Sequence, residues 1–139
     1  MTANFSPVFT ITPNSVPTSV AAANTASDGS GAVVTLVTAG TNGTRVDQVT
    51  VRNGQATAAA SSAMVCRVFL SDAAGANFKV VGEVALATAT RSITVIGATS
   101  TITFSPAIVM KSGQLLSVAQ SVYAGAQDLN SYIAYSGDY

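Results

Sequence analysis

The chain has 139 residues, six basic and six acidic, for a formal net charge of zero, and it contains no histidine. That length suits one domain, and the charge balance offers neither a basic face for nucleic acid nor a polybasic patch for anionic lipid. Without histidine, a Ser-His-Asp or Cys-His system cannot be assembled and the commonest metal ligand is missing; charged residues are only 9% of the chain against about 25% in an ordinary soluble domain, which predicts an exterior largely covered in an assembly, the alternative being a monomer with a neutral Ser/Thr-rich surface.

Valine, serine and threonine dominate and strong helix formers are sparse, a composition that favours strands. The first β-rich run is residues 5–12, where Pro7 and Pro13 suit an edge strand or an extended arm. Residues 1–13 are therefore expected to form an N-terminal arm with Phe5, Val8, Phe9 and Ile11 as contact residues, the alternative being an edge strand of the same domain. A Ser-Asp-Gly-Ser-Gly turn at residues 27–31 leads into a β-branched run at 32–38. Asn42-Gly43, both tolerant of positive φ, then feeds residues 45–52, so the two runs are expected to form a hairpin. Val46 is out of phase with Val49 and Val51, which predicts a bulge near Asp47-Gln48 or, alternatively, a Val46 on the opposite face. Arg45 and Asp47 are a candidate pair, between subunits or within the turn, or two solvated residues on one strand face.

Asn53-Gly54 closes that strand, and the Ala-rich residues 55–62 read as a loop. Strands are expected at 64–71, 78–84, 92–96 and 101–105, the last with Ile102 and Phe104 toward the core and ended by Pro106. A turn at 111–114 precedes a strand over 115–123, with Leu116, Val118 and Val122 in phase, and the final strand covers 130–136. About eight strands without an intervening helix predict an all-β fold, a single antiparallel β-sandwich over residues 1–139, jelly-roll-like in type.

Little in the chain points to chemistry. The six carboxylates form no motif, Asp28 sits in a turn with too few acidic neighbours for a calcium loop, and Walker and Rossmann glycine spacings are absent, so no catalytic residue, cofactor or metal is expected. Cys66 reads as a buried structural thiol. Residues 1–12 lack the basic start of a signal peptide, and no apolar run approaches the roughly 20 residues that span a bilayer. Tyr123, Tyr132, Tyr135 and Tyr139 crowd the C-terminal part, where Tyr132 and Tyr139 are candidates for an interface or for stacking on sugars; the alternative places Tyr135 in the core and the others at its rim. The Asp138-Tyr139 end is expected to be tied into the fold.

Three segments, residues 24–31, 38–47 and 136–139, resemble turn and hairpin motifs of small virion structural proteins of tailed bacteriophages, in particular capsid decoration, or cement, proteins. The resemblance covers most of the chain loosely. It implies a non-enzymatic protein, made in the host cytoplasm and placed on the capsid exterior, with the major capsid protein and its own copies, as a homotrimer, for partners. A tail-associated, receptor- or glycan-binding β module is the alternative.

Overall fold

The computed structural model describes residues 9–54 and 58–139, and its order of elements is β1 (Thr12–Pro13), β2 (Thr18–Val20), β3 (Val34–Thr38), β4 (Thr44–Asn53), β5 (Met64–Leu70), β6 (Lys79–Leu86), β7 (Thr99–Met110), β8 (Leu115–Gln120), a 3-10 turn (Ala126–Asp128) and β9 (Asn130–Asp138). Two antiparallel sheets result, a first with order β2-β9-β4-β7, in which β1 extends the β2 edge of β9, and a second with order β3-β8-β5-β6. The pairs β2–β9, β3–β8, β4–β7 and β5–β6 are the rungs of one long hairpin, and rolling it up brings β4 beside β9 and β5 beside β8. That is the jelly-roll arrangement of two interleaved Greek keys.

The core lies between the sheets and is built from alternate positions of each strand: Val46, Val49 and Val51 of β4, Tyr132 and Ala134 of β9, Cys66 and Val68 of β5, and Leu116 and Val118 of β8. Burying each of the larger aliphatic side chains contributes about 1.5–3 kcal/mol. The bulge expected in β4 is present: the register shifts between Val46 and Gln48 against both neighbours, so Asp47 takes up the extra position and all three valines reach the core. Cys66 is buried, and Ile102, Phe104 and Val122 pack partly against the core.

Three expectations fail. Residues 32–52 form no hairpin, because β3 pairs with β8 while β4 pairs with β7 and β9. Both runs bury an apolar face, Val37 on one and Val46 on the other, so they pack face to face across the core, and the turn around Gly43 (φ 98°) carries the chain between sheets. Residues 92–96 are a loop: the Ser92 hydroxyl accepts from the Thr94 and Val95 amides, and Ile93 and Ile96 lie exposed. Pro106 does not end its strand. Asp47 stands opposite residues 104–107, which leave the ladder so that the missing proline N–H breaks no rung, and β7 resumes to Met110. Of the two readings of the N-terminal stretch, residues 11–13 follow the edge-strand one, with β1 at Thr12–Pro13 and the Ile11 amide donating to the Asp138 carbonyl; Phe5 and Val8 lie outside the described residues.

Candidate interaction face

The two outer faces of the sandwich differ. On the second sheet, Phe69, Ser117 and Ala119 are buried although they point away from the core. Residues 21–32 cross over them: Ala23 bridges to Gln120 beside the end of β3, Arg67 donates to the Asn24 carbonyl, and Gly29 lies so close to the Phe78 backbone that a Cβ would overlap it. Asn24 holds this strap closed, donating to the Ser30 and Ala32 carbonyls and accepting from the Ala26 amide, while the Asp28 carboxylate accepts from the Ser30 amide and hydroxyl. The hydroxyl and amide hydrogen bonds hold the Asp28 carboxyl below the usual carboxylate range.

The first sheet has no such cover among the described residues. With Val46, Val49 and Val51 inward, its outer rows are Gly137-Arg45-Val109, Tyr135-Gln48-Thr103, Ile133-Thr50-Thr101 and Ser131-Arg52-Thr99. Five large apolar residues stand exposed on or beside this face: Phe9, Ile11, Val16, Val109 (62%) and Tyr135 (48%).

At one end of the face Arg45, Asp47, Phe104, Pro106, Val109 and Tyr139 line a shallow groove. The Arg45 Nε and Nη2 atoms donate to Asp47 Oδ1 at 2.9 and 2.7 Å, an exposed pair within one strand. The Asp47 hydrogen bond and charge hold the guanidinium still more firmly protonated. Residues two apart on a strand share a face, and with Val46 inward Arg45 and Asp47 lie side by side on the outer one. Farther along, a second groove is lined by Pro17, Thr50, Arg52, Ser131, Ile133 and Tyr135.

Two of the three motif segments meet at the first groove. Thr44 Oγ1 donates to the Asp138 carboxylate, which also accepts from Asn14 Nδ2 at 2.9 Å; the Gly40 amide donates to Thr44 Oγ1, and the Tyr139 amide to the Gly43 carbonyl. Thr44 and Asp138 thus tie the turn that joins the sheets, whereas Arg45, Asp47 and Tyr139 face the groove. Of the other expected contact residues, Phe9 and Ile11 are exposed. Tyr132 is the reverse of a surface residue: at 1% exposure it fills the core, because Asn130, Tyr132 and Ala134 are the inward positions of β9 and Tyr135 the outward one. Its hydroxyl faces the Cys66 thiol without a sound hydrogen bond, and burial pushes the pKa values of both groups up. Tyr132 is therefore no stacking platform, and Tyr135 is the β9 tyrosine that faces outward.

The six carboxylates are dispersed as anchors: Asp28 in the strap, Asp47 with Arg45, Glu83 with Arg67, Asp138 at the sheet-joining turn, Asp72 accepting from the Ala74 and Ala76 amides and Asn77, and Asp128 accepting from Ser62 and the Ala124 amide. Among the described residues no three of His, Cys, Asp and Glu gather as a metal site. Residue-by-residue reading missed Pro106 and Val109 as groove residues, whose placement follows from the residues looped out opposite Asp47. The chain matches no family model, and no curated protein or solved structure is similar to it.

Proposed function

We propose that this chain is a non-enzymatic virion structural protein that decorates a tailed-phage capsid, binding as a homotrimer across neighbouring capsomers through the outer face of its first sheet. The observation that carries the reading is the asymmetry of the sandwich. The strap covers the middle of one outer face and leaves Val80 and Val81 exposed at its β6 edge, whereas the other carries exposed apolar side chains and few charges with no described segment across it, in a chain with too few charges to keep an uncovered surface dispersed. Binding that occurs only on the assembled lattice stabilises it by mass action, by about 2.7 kcal/mol per site at a free concentration 100 times the dissociation constant. The test is to mix the protein with capsids lacking it, pellet them and count bound copies. Saturation at a fixed ratio to the major capsid protein, lost on Val109→Asp, is the expected result, and absence of binding overturns the reading.

A second reading rests on the groove around Tyr135, where an aromatic ring, Arg52 and the hydroxyls of Thr50 and Ser131 share one shallow surface suited to a sugar. Glycan-array binding abolished by Tyr135→Ala, in a protein that leaves capsids unoccupied, selects the tail or receptor module instead.

A further inference from the structure

Residues 21–32, the strap across the second sheet, close over Phe69, Ser117 and Ala119. We infer that this strap is a hinged cover: it lifts as a unit while the two sheets stay packed, and it thereby uncovers a strip on β5 and β8 that the closed molecule hides.

Little fastens the strap to the strands beneath it. Its residues are alanine, asparagine, threonine, serine, aspartate and glycine, and Asn24 alone among them is buried, so no large apolar side chain anchors it. The Asn24 amide donates to the Gln120 carbonyl at 2.8 Å, Arg67 reaches the Asn24 carbonyl at 3.5 Å, and Gly29 rests against the Phe78 backbone. The side-chain bonds of Asn24, to the Ser30 and Ala32 carbonyls and from the Ala26 amide, stay inside the strap, as do those of Asp28 with Ser30. They preserve its shape without tying it down. A segment with so few buried apolar contacts belongs to the low-stability end of a fold, and ordering Gly29 and Gly31 within it adds to the entropic cost of closure. Underneath, Ser117 Oγ is buried without a hydrogen-bond partner, so lifting the strap gives it water and offsets part of the cost of exposing Phe69. The flanking strands are fixed by contrast: Val20 of β2 and Leu36 of β3 are 2% and 6% exposed in the core, so both ends of the strap stay anchored when its middle lifts.

Opening of the strap is independent of the decoration reading, so failure of either leaves the other standing. The first test is amide hydrogen exchange of the unaltered chain at a series of urea concentrations below the unfolding transition. The Asn24 amide is expected to be protected, yet to exchange about tenfold or more faster than the Val68 and Val118 amides of β5 and β8. Its rate should also depend less on urea, because lifting a strap exposes far less surface than parting the sheets. An Asn24 amide that exchanges with the rate and urea slope of Val68 and Val118, or one with no protection, overturns the inference. The second test is Ser117→Cys, which sets a thiol beneath the strap while the buried Cys66 reports the parting of the sheets. A methanethiosulfonate reagent should modify position 117 about tenfold or more faster than Cys66, and more slowly than it does in the urea-unfolded chain. Equal rates at the two thiols, or a rate at position 117 equal to that of the unfolded chain, overturn it; should that variant fail to fold, the exchange of the unaltered chain decides.

Discussion

Asp128→Asn separates the structural polar network from the surface. The Asp128 carboxylate is buried and accepts three hydrogen bonds: Oδ1 from the Ser62 amide at 2.7 Å, and Oδ2 from the Ala124 amide at 2.8 Å and the Ser62 hydroxyl at 3.0 Å. It thereby ties the approach to β5 to the segment leaving β8. An asparagine keeps one of the two oxygens, so its NH2 group must face a backbone N–H, and at least one charge-assisted bond, worth about 1.5–3 kcal/mol, is lost. Because Ser62 is only half-buried, water repairs part of the loss, and the expected cost is about 2–3 kcal/mol, or roughly 10 °C in Tm for a domain of this size. The pH dependence gives a second, independent signature. Burial opposes the charge on Asp128, but the Ser62 and Ala124 hydrogen bonds outweigh it and hold the folded carboxyl below the usual range. Its contribution is therefore complete above the unfolded value of about 3.9 and is lost as pH falls through the lower folded value. Urea unfolding of both proteins at pH 7 and at pH 2–3 reads the difference directly, with the remaining carboxylates cancelling between them. A variant within about 0.5 kcal/mol of wild type at pH 7, or a gap that does not narrow in acid, refutes the reasoning.

Tyr132→Phe removes a buried hydroxyl that has no hydrogen-bond partner, so thermal unfolding should show unchanged or raised stability, by up to about 1 kcal/mol; a loss above that size would mean the hydroxyl is bonded. The Cys66 thiol, buried and pushed up in pKa, should react with a disulfide reagent only at the rate of unfolding in buffer and at once in urea. Gly43→Ala puts a Cβ 2.7 Å from the Met110 carbonyl oxygen at φ 98°, and chemical denaturation should show a loss of about 1–3 kcal/mol.

What was legible in the sequence was whatever a strand writes in period two. The alternation of Leu116 and Val118, and the slip in phase at Val46, revealed the strand faces and the bulge before any contact was known. Strand partners were not legible, because Asn42-Gly43 specifies a tight turn and not which edges flank it; a turn between sheets and a turn within a hairpin use the same positive-φ chemistry. Residues 92–96 failed for a related reason: Ile93, Val95 and Ile96 have strand-like side chains but no neighbour whose backbone they pair with. The tyrosines failed on parity alone, since one step along β9 decides whether Tyr132 or Tyr135 is in the core. The buried network of Gln120, Asn130 and Asn53 depends on amide orientations passed from one side chain to the next, and no local pattern encodes that.

The outer edges of the sheets bear on how such a sparsely charged protein associates. A sheet edge invites strand addition, and charged side chains are the usual deterrent. Here the geometry of the edges takes that part. Leu36 is an extra residue in β3 and Val81 in β6, each breaking its ladder, β7 is interrupted by residues 104–107 with Pro106 among them, and β1 and β2 are two and three residues long with Pro13 and Pro17 between or beside them. Every described edge is thus irregular, short or proline-bearing, and open-ended growth through backbone pairing is disfavoured. Association is left to side-chain contacts across a face, which close when the patch is complementary to one partner geometry. On the proposed reading, a sparsely charged chain can then assemble to a finite number of copies through the outer face of its first sheet, which no described segment crosses.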